Sequence, residues 1–430
     1  MRTKISLLSL LAVCGGLLSA KAQINDTITV MQYNLTNYGN YTSYCTTTNN
    51  AVATKDPNIK TIVKYVNPDI VGFNEVNKTS TYADRLRDLV LNTDGVTHYQ
   101  KTPSSNTVNS SIINMLYYNS DKLVYHSRET ILAATRDIDL YRLYYKDPNL
   151  AVTNDTVFFV CIVAHLKAGN TTADATTRGQ MTQSVVDFLA AKNKAANYMF
   201  MGDLNLYTSA ETAYQNLITP TNSKYKFYDP INKMGAWSGN SSFKAYHTQS
   251  TRVTSNGCLA GGGMDDRFDH IMLTSHLLND SAGAQFIQGS YKAVGQDGNR
   301  YNGNVNDGTN SSVPAAVANA LFNSSDHLPV TAKFKVTGTV TSLLSRQNQQ
   351  LFVRLANPVR NGLIRCEIKD IDGTSYKLSI YNTVGQLLNS TTAQVESGQL
   401  QTSIQLPQGL YMLRVENTKG LGNTQRMLIE

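Results

Sequence analysis

Between residues 24 and 336 one event recurs: an apolar run of strand length stops at carboxylate, amide or imidazole side chains. TITVMQYNL closes on Asn34 and PDIVGFNEV on Glu75; the longest apolar run, VFFVCIVAHL, closes on His165. Asp203 and Asn205 follow YMFMG, Asp269 precedes HIMLT, and Asp326 and His327 precede LPV. Ionisable groups at the edge of a sheet core are costly unless paired or metal-bound. Their recurrence therefore predicts that the strand ends converge on a site. Helical segments lie between the strands. IKTIVKYVN places Ile59, Ile62, Val63 and Val66 on one face, TYADRLRDLVL is a second helix, and TTRGQMTQSVVDFLAAKN aligns Met181, Val185, Phe188 and Leu189. Strands interleaved with helices over this span predict one layered α/β domain. The Asn/Gly-rich stretch Gly295–Ser312 reads as a long surface loop.

The two ends differ from this middle. Arg2 and Lys4 precede ISLLSLLAVCGGLLSA and then Ala20-Lys21-Ala22, the pattern of a secretory signal peptide over residues 1–22, cut before Gln23. Val13 before Cys14 is too large for the usual lipobox. No other stretch reaches about 18 consecutive apolar residues, so the mature chain is expected to be soluble, without stable membrane insertion. Export exposes the remaining cysteines to oxidation. Cys161 reads as a buried thiol, Cys366 lies in another domain, and Cys45 and Cys258, in polar loops, are free to pair. After Val336 a polar linker, residues 337–349, leads into short alternating strands broken by Gly, Pro and Asn, as in a small β-sandwich over 350–430. Asn357-Pro358, IYNTVGQLL and LPQGLYMLRVE make this stretch resemble the C-terminal sorting domain of the type IX secretion system of Bacteroidetes. That resemblance implies the type IX machinery as a partner, Sec export to the periplasm, and a secreted or cell-surface product.

In the middle, each motif alone is weak: a GDLN is usually a turn, a Ser-Asp-His a loop, an isolated His a satisfied core histidine. The order YNL, NE, HLK, GDLN, RFDHI, SDHLPV, each at a strand terminus, closely resembles the endonuclease/exonuclease/phosphatase superfamily, the deoxyribonuclease I-like fold. The resemblance covers about residues 28–335 of a 23–336 domain. It implies a four-layer α/β sandwich, here followed by the small all-β sandwich, and divalent-metal-assisted hydrolysis of a phosphate ester. It implies that Asn34, Glu75 and Asp326 belong to the metal site and that Asp203 orients or activates water. Asn205 would bind phosphate, Asp269 would orient a catalytic partner, and His165 and His327 would act on the phosphoryl group or in proton transfer.

Elementary chemistry supports the same division of labour. Phosphodiester hydrolysis builds negative charge that a hard cation with oxygen ligands neutralises, which favours Mg²⁺, Mn²⁺ or Ca²⁺. No Cys/His spacing suits structural zinc. In-line attack needs a base near water and an acid near the leaving group. Asp203 suits the first, and His165 or His327 the second. Lys167 and Arg178 follow His165 closely enough to contact phosphate, or else are solvated cations at a loop and a helix start. HTQSTR, His247–Arg252, either shapes the site or is an ordinary loop. The expected activity is that of a monomeric endonuclease or phosphodiesterase acting on nucleic acid or another phosphodiester. A phosphatase or sphingomyelinase-like phospholipase is the alternative, and a non-catalytic binding protein the remote one.

Net charge qualifies the substrate. The whole chain is +7. The signal segment carries three cations, and residues 341–430 carry nine cations against six anions. Residues 23–340 keep 26 basic and 25 acidic side chains, so no broad nucleic-acid footprint remains and binding must be local.

Overall fold

A computed structural model describes residues 26–148, 150, 156–337, 351–369, 375–417 and 422–430; the expected signal peptide and nearly all of the expected linker lie outside them. The chain divides into two compact units, one running to Thr339 and the other starting at Val340.

The first unit is built on two sheets. One takes β1 (Asp26–Tyr38), β2 (Ile70–Asn77), β3 (Tyr99–Lys101), β4 (Ile112–Asn119), β11 (Ala284–Phe286), β12 (Lys292–Ala293) and β13 (Val330–Val336). Its order is β11-β13-β1-β2-β4-β3, with β12 also on β13. The other, in the order β5-β6-β7-β8-β10-β9, takes β5 (Leu123–Ala133), β6 (Asp137–Tyr145), β7 (Phe158–His165), β8 (Tyr198–Asp203), β9 (Phe227–Tyr228) and β10 (Asp269–Thr274). The β5–β6 pair has no counterpart in the sequence reading; its residues alternate polar and apolar without a terminal motif.

Strand alternation makes the layers. In β7, Phe159, Cys161 and Val163 face a core shared with Ile28, Val30, Val330 and Phe334 of the other sheet. Val160, Ile162 and Ala164 face Met181, Val185 and Leu189 of the helix α3 (Thr172–Lys192). On the far side, Met31, Tyr33 and Leu35 pack against Ile59, Ile62 and Val63 of α1 (Val52–Val66), with Ala83 of α2 (Ser80–Arg85) in the same core. Both faces of each central sheet are thus buried, giving helix, sheet, sheet, helix: the four-layer α/β sandwich. Local signals set the helix ends: Thr171 and Asp174 form a capping box at the start of α3, and Asn67 and Asn193 close α1 and α3 in the left-handed region.

The second unit is all β. β15 (Leu363–Lys369) lies between β14 (Phe352–Leu355) and β18 (Gln399–Ser403), while β16 (Ser375–Tyr381) lies between β17 (Leu387–Glu396) and β19 (Gly409–Asn417), with β20 (Gly422–Ile429) outermost. β17 belongs to both halves, pairing along β16 and, at Val395–Glu396, with β18. Ser397-Gly398, both at positive φ, make the tight turn between β17 and β18. Between the halves lie Ile364, Cys366, Tyr376, Leu378, Leu400 and Leu413, a sandwich core in which Cys366 is a buried free thiol. No helix among the described residues is long and apolar enough to cross a membrane.

Candidate active site

Register brings the site together. In the second sheet β7 runs parallel to β8 with His165 opposite Asp203, and β10 runs antiparallel to β8 with Asp269 opposite Asp203. Three strand ends therefore set three titratable side chains in one row. Gly202 permits this approach, since a Cβ there would stand 1.7 Å from the Ala164 carbonyl oxygen. In the first sheet β1 and β2 are parallel, with Asn34 opposite Asn74. The β2–β4 register breaks between Phe73 and Val76, an irregularity that re-aims Glu75 toward the other sheet. Thr36, Asn37, Glu75 and Asn205 have φ of 45, 52, 62 and 50°. Such left-handed backbone at non-glycine residues costs about 1–3 kcal/mol each and persists only where surroundings over-determine it.

They are over-determined here. Asn34 Nδ2 donates to Glu75 Oε1 at 3.0 Å and to Asp203 Oδ2 at 2.9 Å. Asn37 N–H donates to Glu75 Oε2 at 2.8 Å, and Asn205 N–H to Asp203 Oδ1 at 3.0 Å. His165 Nε2 lies 3.7 Å from Glu75 Oε1 and 3.5 Å from Asp203 Oδ2. One ligand atom each from Glu75, His165 and Asp203 falls within 4.8 Å of the others, a set that can hold a divalent cation. The buried Nδ1 of His165 has no hydrogen-bond partner among the described residues.

His327 sits across from this cluster. Its Nδ1 donates to Asp269 Oδ2 at 2.8 Å, and Nε2 lies 3.7 Å from Asp203 Oδ2 and 2.8 Å from the Gln249 side-chain amide. Asp269 is held in turn by the Thr248 hydroxyl at 2.8 Å. Burial pushes the His327 imidazole down, but Asp269 and Asp203 outweigh it and hold the group well above its ordinary value. Burial, with the charges of Arg136 and His327, pushes His165 well below. Burial drives the Asp203 carboxyl up to about 6, against the pull of His327. Two imidazoles that both approach Asp203 Oδ2 are thus biased to opposite protonation states, a common arrangement in acid–base sites.

A cleft of about 570 Å³ opens over these groups, lined among others by Glu75, Arg136, His165, Asp203, Asn205 and His327. The structure brings Asn34, Glu75, His165, Asp203, Asn205, Asp269, Asp326 and His327 together, and it also corrects details. Asp326 shares the cleft but is turned to other partners: Oδ1 bonds the Thr36 hydroxyl and Oδ2 accepts the Ala260 N–H at 2.8 Å. It stands beside the Glu75–His165–Asp203 set, which includes His165, expected as a proton-transfer group, and not Asp326, expected as a metal ligand.

Arg178 is not a phosphate contact. It is 1% exposed, donates to Glu211 at 2.8 Å and to the carbonyls of Lys167 and Gly169 at 2.9 and 2.7 Å, and braces the loop below the cleft. Lys167 lines the cleft with its ammonium on Asp174 at 2.7 Å. Tyr117 is buried on the α1 side, donating to the Ala83 carbonyl.

The cleft cation the sequence reading missed is Arg136, between β5 and β6, which donates to the Leu166 carbonyl at 3.4 Å. Burial lowers its pKa, countered by Glu75 and Asp203. Its only sequence signal was an arginine at the bend of an unrecognised hairpin. Gln249 and Thr248 come from the HTQSTR segment, which does shape the site, although His247 itself is buried against the Trp237 and Met264 carbonyls. Cys45 and Cys258 form a disulfide, with Cys258 on the cleft wall; Cys161 is buried and free.

Two family models match parts of the chain. Residues 357–430 match the secretion system C-terminal sorting domain, which marks the chain for export to the cell surface or beyond. No curated protein sequence matches the chain. Among solved structures, an endonuclease/exonuclease/phosphatase from Beutenbergia cavernae is 15% identical, with 93% of this chain and 99% of that one covered and a TM-score of 0.40. D. rerio TDP2 complexed with single strand DNA product is 12% identical, covering 72% and 98%, with a TM-score of 0.45. The human Nocturnin catalytic domain with bound sulfate anion is 14% identical, covering 73% and 98%, with a TM-score of 0.44. Residues 43–327, from just past the end of β1 to His327, match the Endonuclease/Exonuclease/phosphatase family. The match spans most of the strand ends that build the cleft, and the chain belongs to that family of phosphate-ester hydrolases.

Proposed function

We propose that the chain is a secreted, divalent-metal-dependent phosphodiesterase that cleaves phosphodiester bonds, most directly as an endonuclease. The observation that carries this reading is the convergence, in one cleft, of the Glu75–His165–Asp203 set with the His327–Asp269 pair. Glu75, Asp203 and His165 would hold the cation, with the Asn34 amide N–H groups steadying the two carboxylates, and the carboxylate oxygens suit Mg²⁺, Mn²⁺ or Ca²⁺. The bound ion would supply charge neutralisation at the phosphoryl oxygens.

The remaining work falls to the chain. Asp203 accepts a proton from the attacking water. Asp269 fixes the His327 ring by its Nδ1 bond and leaves Nε2 beside the Gln249 amide at the cleft; once protonated in place of that contact, Nε2 would hold a phosphoryl oxygen or protonate the leaving oxygen. Asn205 is a neutral donor at the same edge, and Arg136 supplies the local positive charge that the near-neutral domain otherwise lacks. Phosphatase or phospholipase action on the same site is the second reading; the small polar lining of the cleft disfavours a lipid tail.

We also propose the processing scheme: residues 1–22 are removed on export, 23–336 are the hydrolase, 337–349 the linker, and 350–430 the sorting domain, with the hydrolase acting as a monomer. The test is a substrate panel on the secreted chain with Mg²⁺, Mn²⁺ or Ca²⁺: plasmid DNA, RNA, sphingomyelin and bis-p-nitrophenyl phosphate. Cleavage of plasmid DNA that Glu75→Ala and His327→Ala both abolish supports the reading. Hydrolysis unchanged in both variants refutes it.

A further inference from the structure

Lys55 lies on α1 in TKDPN, and a lysine is among the side chains least tolerated inside a protein. It is nonetheless only 2% exposed. Its ammonium donates to two consecutive main-chain carbonyls, Leu35 O at 2.6 Å and Thr36 O at 2.7 Å. Asn50, just before α1, reaches the same stretch: its Nδ2 donates to Thr36 O at 3.3 Å and Asn37 O at 2.8 Å. Three successive carbonyls of a turn within the last residues of β1, where its register with β2 shifts between Asn34 and Tyr38, are therefore held by two side chains.

That turn holds two consecutive left-handed residues, neither of them glycine, Thr36 and Asn37. Its other face is occupied by the site. Thr36 N–H donates to Asn34 Oδ1 at 2.9 Å, Asn37 N–H donates to Glu75 Oε2, and the Thr36 hydroxyl meets Asp326 and, at 2.8 Å, Ser325. Every bond from this turn toward the cleft depends on a left-handed backbone that Asn tolerates but a β-branched Thr adopts only under constraint.

We infer that Lys55 and Asn50 are positioning residues, a clamp that holds the Leu35–Asn37 turn so that Asn34 and Glu75 are aligned for the cation and Asp326 is held beside them. The clamp rests on the proposed function only for what the aligned groups do. Supporting groups of this kind typically change metal affinity or activity by about 10–100-fold when removed. The ammonium suits the task because three donors on one nitrogen can satisfy adjacent carbonyls at once. Burial pulls its pKa down to about 7, against the Asp326 and Glu75 carboxylates, whose field favours the charged form.

The experiment uses the full chain with Lys55→Met, Asn50→Ala and, as control, Lys60→Met, a half-buried residue of the same helix paired with Asp94 away from the turn. Three quantities are read: Mn²⁺ affinity by calorimetry, amide exchange of Thr36 and Asn37, and kcat and KM on bis-p-nitrophenyl phosphate. The expected result for Lys55→Met is Mn²⁺ binding weakened and kcat lowered, each by about 10–100-fold, with KM within about twofold. Exchange at Thr36 and Asn37 should quicken about tenfold while the rest of the fold keeps its protection. Asn50→Ala should show smaller changes of the same sign, and Lys60→Met none.

Folded variants with wild-type Mn²⁺ affinity and wild-type exchange at the turn overturn the clamp. Should Lys55→Met fail to fold, Asn50→Ala decides by the same readouts. A wild-type chain that binds Mn²⁺ but cleaves no phosphodiester overturns the proposed function and leaves the clamp to be judged by affinity and exchange. A wild type that binds no Mn²⁺ overturns both.

Discussion

Replacing Arg178 separates two accounts of that residue. As a substrate contact, Arg178→Met would raise KM and leave stability alone. The structure places the guanidinium instead in a closed set of partners: Glu211 Oε2 at 2.8 Å, the Lys167 and Gly169 carbonyls, and the Tyr207 ring 5.5 Å from its centre. Glu211 is itself nearly buried, and its Oε1 accepts the Tyr207 N–H at 2.9 Å. Methionine would fill the volume but leave a buried carboxylate unpaired and two carbonyls without donors. Breaking a buried pair from one side costs about 3–5 kcal/mol. For a domain of this size each kcal/mol moves Tm by about 2–4 °C, so the midpoint should fall by roughly 10 °C. Thermal unfolding of wild type, Arg178→Met, Glu211→Gln and the double variant checks this. The double variant should lose less than the sum of the singles, because each single leaves the other partner stranded. A Tm within about two degrees of wild type, together with a raised KM, would refute the brace and restore the phosphate contact.

Other expectations follow from the same geometry. Asp269→Asn should lower kcat by about 10²–10⁴-fold with little change in KM, since it removes the acceptor that fixes His327; steady-state kinetics on bis-p-nitrophenyl phosphate would show it. Reducing Cys45–Cys258, which closes a loop of sequence separation 213, should cost about 2–5 kcal/mol, read as a lower Tm in dithiothreitol that the Cys45→Ser, Cys258→Ser double variant reproduces without reductant. Burial pushes the Asp229 carboxyl up, but its two-point bond to Arg267 outweighs this and holds it below the ordinary value. A depressed carboxylate gives stability that is present above its unfolded pKa, near 4, and is lost as pH falls through the folded value. Urea midpoints should thus drop between about pH 5 and pH 2 more steeply in wild type than in Asp229→Asn.

Much of the site was legible before any coordinates. Asn34, Glu75, His165, Asp203 and Asp269 each terminate or open an apolar strand, and in a layered α/β fold the ends of neighbouring strands are neighbours in space. The helices α1 and α3 were legible for the same kind of reason: their apolar spacing is local. Arg136 was not, because it sits on a hairpin whose strands carry alternating polar residues. Arg178 was misassigned because closeness in sequence to His165 says nothing about which way a helical side chain points. Thr171 and Asp174 start α3 at a fixed angle, and that angle turns Arg178 inward toward Glu211, 33 residues later.

The sequence by itself determined the two-part organisation, the alternation that buries both faces of each central sheet, and the identity of the groups at the strand ends. These depend on periodicity and composition, which are read within a few residues. Only the tertiary structure decided which groups face one another. It turned Asp326 to Thr36 and Ala260, put His165 beside Glu75 and Asp203, joined Cys45 to Cys258, and set Lys55 under the turn that aligns the cleft. Those pairings come from strand register and from a left-handed turn at the end of β1. They are long-range facts, fixed by the packing of four layers and written in no single stretch of the chain.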